Sequence, residues 1–63
     1  MSRSIESVLK DIQVKRQQIV EVVATSAAKD YAEYQKLCGE IRGLSIAEGF
    51  ILDLLKHMEQ SDD

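Results

Sequence analysis

Residues 34–58 read YQKLCGEIRGLSIAEGFILDLLKHM, and this stretch decides the fold. Leu37, Leu44, Ile51 and Met58 recur every seventh residue, and Tyr34, Ile41 and Leu55 fall three residues ahead of members of that series. Two apolar residues per heptad is the spacing by which an α-helix buries one side against another helix. Projected at the helical angle, Ile46, Ala47, Phe50, Ile51, Leu54, Leu55 and Met58 spread over about half the circumference, with Leu52 outside even that arc. A stripe of about 100° serves an ordinary surface helix. The excess points to a helix that touches at least two others.

Working back toward the start, Ser4 fits a helix N-cap, with Glu6 in the first turn where the helix dipole favours an anion. Ile5, Val8, Leu9, Ile12, Ile19, Val20 and Val23 then follow at helical spacing. Glu6 with Lys10 and Asp11 with Lys15 are acid-first i,i+4 pairs and mark a solvated face. Lys15 and Arg16 interrupt the stripe. Either their stems lie over the seam with the charges in water, or Arg16 contacts a partner or ligand. The rhythm lapses over residues 24–29, and Asp30 stands three residues before Glu33 at capping-box spacing. The expectation is an all-α antiparallel hairpin: a helix over about 4–24, a turn over about 25–29, a helix over about 30–59 and an acidic tail at 60–63. One continuous helix would cover nothing. Ser45 and Glu48 form a second box spacing, but the heptad crosses it without a phase change, so the second helix is expected to run unbroken.

Gly39, Gly43 and Ala47 share one side of that helix, where small residues let another backbone approach closely. A turn centred near residue 27 or 28 would set Ile12 against Gly43 and Val23 against Ala32. Ile12, Gly39, Gly43 and Ala47 are therefore the expected helix-packing positions. Leu44, Ile46, Phe50, Ile51, Leu54, Leu55 and Met58 are the expected oligomer or partner interface. Glu48 is the polar interruption of the seam, either a register device or a residue exposed where the apolar face drifts.

Composition narrows the function. Sixty-three residues make one small domain, which is marginal unless something adds to its core. A lone cysteine, Cys38, excludes an intrachain disulfide, and with one histidine it cannot complete a four-ligand zinc site. A second chain is what remains. The isolated chain is thus expected to be no folded monomer, but to self-associate as an antiparallel or up-down four-helix bundle. Eight basic and eleven acidic residues leave a net charge of −3, with +1 on residues 1–26 and −4 on residues 27–63. That balance argues against dominant phosphate binding. No signal peptide or membrane-length apolar run is visible, which suggests a cytoplasmic protein with a reduced thiol.

Candidate chemistry is thin. Asp53 and His57 share a face, but no nucleophile or third ligand stands beside them. Cys38 flanks the heptad seam and reads as a small buried hydrophobe, with Lys36 and Arg42 off its side. Tyr31 and Tyr34 read as core or edge packing. No phosphate loop, triad spacing or carboxylate cluster occurs, so neither a cofactor nor enzyme activity is expected.

The run AAKDYAEY at 27–34, followed by Leu37, Gly39, Ile41, Gly43, Leu44 and Ala47, resembles small uncharacterised proteins from the head-gene modules of tailed bacteriophages. The resemblance covers roughly residues 27–47. It implies a phage origin and a virion or head-assembly role, in the host cytoplasm or the particle, with a larger phage or host protein as partner. It carries over no catalytic or binding residue. The rival expectation is a small regulator that binds a host protein or RNA as a helical dimer. Plasmid copy-number regulators use such a hairpin, which is an analogy of architecture only.

Overall fold

In the computed structural model, residues 4–25 and 29–60 are described, the side chain of Gln60 excepted. Two helices make the fold: α1, Ile5–Ala24, and α2, Tyr31–Gln60. They pack against each other as an all-α hairpin. Each helix starts on a cap the sequence encodes. The Ser7 N–H donates to Ser4 Oγ at 3.0 Å, which satisfies one of the unpaired donors of the first turn. The Glu33 N–H donates to Asp30 Oδ1 at 2.8 Å, and Glu33 Oε2 accepts from the Lys29 N–H at 3.0 Å. At the other end of α1 the Thr25 hydroxyl donates to the carbonyls of Glu21 and Val22 at 2.9 and 3.2 Å. Parts of the expected turn and of the expected acidic tail, residues 26–28 and 61–63, lie outside the described residues.

The heptad seam of α2 faces α1. Leu37, Ile41, Leu44, Glu48, Ile51 and Leu55 are all half-buried, whereas Tyr34 and Met58, at its two ends, are exposed. On α1 the matching stripe is Ile5, Leu9, Ile12, Arg16, Ile19 and Val23, with Ile19 alone buried among the described residues. α2 runs unbroken through Gly39, Gly43 and the Ser45–Glu48 spacing.

The register differs from level pairing about the turn. Gln13 and Arg16 reach Ser45 and Glu48, six to nine residues further along α2 than a pairing of Ile12 with Gly43 puts them. Gly43 instead lies beside Lys15 and Ile19. The cause is the unequal lengths: α1 has 20 residues and α2 has 30, so α2 must overhang somewhere. It overhangs at its start, where Tyr31 is 73% exposed. The connection from Thr25 to Asp30 is long enough to step back along α2 by the necessary height of about 9–14 Å.

The glycines also differ from expectation. A Cβ built on Gly39, Gly43 or Gly49 meets nothing within 4 Å, so none is a notch for a side chain of α1. Within the hairpin, Ile12 and Ala47 are half-buried, while Gly39 and Gly43 open outward.

Helix-interior glycine costs about 1 kcal/mol relative to alanine. Gly49→Ala, in open space, should therefore stabilise the chain by roughly 0.5–1 kcal/mol. Thermal melts would show a midpoint higher by about 4–8 °C at most. An unchanged or lower midpoint would mean that position 49 is covered by something outside the hairpin.

Candidate functional site: a polar clasp and an exposed apolar face

Two features of the hairpin lie beyond plain seam packing. The first is a polar layer in the middle of the seam. Arg16 recurs seven residues after Leu9 and seven before Val23, and Glu48 stands likewise between Ile41 and Leu55. Both are seam positions, and the structure brings them together. Arg16 Nη1 forms a charge-assisted hydrogen bond with Glu48 Oε1, and Nη2 donates to Oε2 at 3.4 Å. Gln13 Nε2 donates to the same Oε2 at 2.9 Å, and Arg16 Nη1 also donates to Ser45 Oγ at 3.4 Å. The side chains are 29% and 15% exposed for Arg16 and Glu48, so the pair is screened less than a surface bridge.

Hydrogen bonds from Gln13 and then Arg16, with the guanidinium charge, hold the Glu48 carboxyl below its ordinary range against the opposing effect of desolvation. Of the two sequence readings of Glu48, the geometry is that of a register device: a slipped hairpin would leave both charges against apolar neighbours. Arg16 is engaged within the chain. The pairing could have been found in the sequence, because opposite charges replaced apolar residues on both seams. The unknown register hid which positions faced each other.

The second feature is the outer face of α2. The expected interface residues divide. Leu44, Ile51 and Leu55 belong to the seam with α1, while Ile46, Phe50, Leu54 and Met58 remain 53, 72, 48 and 49% exposed. Gly39, Gly43, Ile46, Phe50 and Leu54 follow at four, three, four and four residues, a second helical stripe outside the seam whose edge at Gly43 borders α1. Beside it, an open depression of about 360 Å³ is lined by Lys15, Ile19, Glu40, Gly43 and Leu44. Its floor is low because Gly43 has no side chain. The chain exposes 5035 Å² in all. A folded protein of its mass ordinarily exposes roughly 4,100 Å². Its radius of gyration is 15.0 Å, against about 11 Å for a compact domain of this length.

The remaining candidates stay on the surface. His57 Nδ1 lies 3.6 Å from Asp53 Oδ2 and 2.9 Å from the Asp53 carbonyl, with both side chains about two-thirds exposed or more. Tyr31 and Tyr34 stack on each other at 6.3 Å on the overhang rather than in a core. The Tyr34 phenol is raised above its ordinary value, first by its hydrogen bond with the Cys38 side chain and then by the charge of that group. Among the described residues no three His, Cys, Asp or Glu side chains gather as a metal site, and no helix is long and apolar enough to cross a membrane.

The clasp predicts an acid-sensitive stability. A carboxyl held below its unfolded value stabilises the fold fully above the ordinary glutamate range. The contribution is lost as pH falls through the depressed folded value. Glu48→Gln should lower stability at pH 7 and flatten the loss between about pH 5 and pH 3. Replacing both partners, Arg16→Met with Glu48→Leu, should restore or exceed the original melting midpoint, because no charge is left without its mate. Equal acid limbs for the original chain and Glu48→Gln would show that the pair does not report on folding.

No protein-family model matches this chain, and no curated protein or solved structure matches it either.

Proposed function

We propose that this chain is a non-catalytic interaction protein that works by offering the outer face of α2 to another helix. One observation carries the reading: Ile46, Phe50 and Leu54 stand exposed along one side of a well-formed helix, with Met58 exposed at the end of the seam. Each large apolar side chain left in water forgoes about 1.5–3 kcal/mol of burial. A chain with a single buried residue among those described has little stability to spare, since folded domains hold only about 5–15 kcal/mol. Exposed apolar stripes of this kind mark contact surfaces. A homo-oligomer or a larger protein would both cover it. The phage virion or head-assembly setting rests on the resemblance within residues 27–47 alone. The rival reading, an RNA-binding regulator, has one cation fewer than the sequence offers, because Arg16 is tied to Glu48.

Hydroxyl-radical footprinting tests the reading at Phe50 and Met58. The expected result is protection of both side chains relative to Tyr31, either in the purified chain as its concentration rises or in an extract of the cells that make it. Full oxidation of Phe50 under both conditions would show a face that nothing covers and would sink the proposal.

A further inference from the structure

We infer that the occupant of the outer α2 face is a second copy of this chain, paired antiparallel about a two-fold axis between Ile46 and Ala47, with Phe50 of each copy seated over Gly43 of the other. The inference rests on the interaction reading above and specifies its partner.

Three observations converge on it. The first is shape. The stripe is small at one end, Gly39 and Gly43, and bulky at the other, Phe50 and Leu54. An antiparallel pairing centred between residues 46 and 47 sets Gly43 opposite Phe50, Gly39 opposite Leu54, and Ile46 opposite Ala47. All three matches hold in one register. A parallel pairing would set phenylalanine against phenylalanine and leave a gap between glycines. Both glycines have open space where a Cβ would be, and neither serves packing inside the hairpin. Gly43 floors the depression between the helices, with Ile19 and Leu44 as its apolar walls. Phe50, 72% exposed, is the knob for which that depression is the hole.

The second observation is area. The surface in excess of a compact chain of this mass is roughly 900 Å². A standard stable interface buries roughly 800 Å² per partner. The excess of the whole elongated chain is thus of the order of one such interface.

The third is charge. In this register Arg42 of one copy lies about 3 Å along the axis from Asp53 of the other, on the same flank of the stripe. The two-fold axis makes that contact twice, as an isologous interface requires. In a parallel pairing the two flanks would exchange sides, and Arg42 would lie on the opposite side of the interface from the partner's Asp53.

Cysteine cross-linking reads the geometry directly, in a Cys38→Ser background that removes the native thiol. A disulfide needs Cα atoms within about 7 Å. Under oxidation, Ile46→Cys or Ala47→Cys should give a covalent dimer, since both lie beside the axis. Gly39→Cys should not, because its two copies would be about 22 Å apart along the helices. Gly43→Leu, whose Cβ enters open space and whose branch fills the depression beside Ile19 and Leu44, should raise the dissociation constant of the dimer at least tenfold with helix content retained. Cross-linking through position 39 would overturn the antiparallel register. So would wild-type affinity in the Gly43→Leu chain. A native mass of 7.1 kDa at every concentration would overturn the second copy as occupant. If Phe50 were still protected in extract in that case, the interaction reading would stand with a different partner.

Discussion

Arg16 and Glu48 meet across the middle of the seam, and the relation of the two helices follows from that meeting. A seam of Leu, Ile and Val favours helix contact but tolerates slippage by a heptad, because each slip puts apolar residues against apolar residues. Two opposite charges at seam positions remove that tolerance. Any register that separates them places each charge against an apolar neighbour, which costs far more than the pair returns when formed. Gln13 and Ser45 complete the arrangement by bonding the same two groups. The clasp is therefore better understood as a device for specificity than as a source of stability.

The register has consequences at both ends of α2. It leaves the first turn and a half of α2 standing beyond α1, with Tyr31 and Tyr34 stacked on the overhang. It also sets Gly43 beside Ile19 instead of Ile12, which opens the depression between the helices. A hairpin paired level from the turn would have spent its glycines inside. In the actual register the glycines face outward, and their cost in helix propensity has no return within the chain. An outward glycine beside an exposed phenylalanine has a physical use only when another surface arrives.

The chain is thus poorly served by its own fold. Ile19 alone is buried among the described residues, and the long shape, 52 × 22 × 17 Å, exposes more surface than a compact domain of its mass. Disulfide closure is closed to a chain with a single cysteine. One helix carries both the intramolecular seam and an exposed outer stripe. A single helix can do this because its apolar residues span about half its circumference.

Much of the fold was legible in the sequence because it rests on local chemistry. Heptad spacing, the Ser4 and Asp30 caps and the absence of proline act within a few residues, and each can be read from neighbours alone. The width of the apolar arc on α2 was legible for the same reason, since helical projection needs no partner. Which half of that arc faced α1 was not. Leu44, Ile51 and Leu55 differ from Ile46, Phe50 and Leu54 only in their angle to a second helix whose position the sequence does not state. The pairing of Arg16 with Glu48 and the outward turn of Gly39 and Gly43 belong to the same class. They depend on how far α2 slides along α1, a long-range quantity set jointly by the connection, the unequal helix lengths and the clasp. Only the tertiary structure fixes that slide, because no short stretch of chain contains both of its ends.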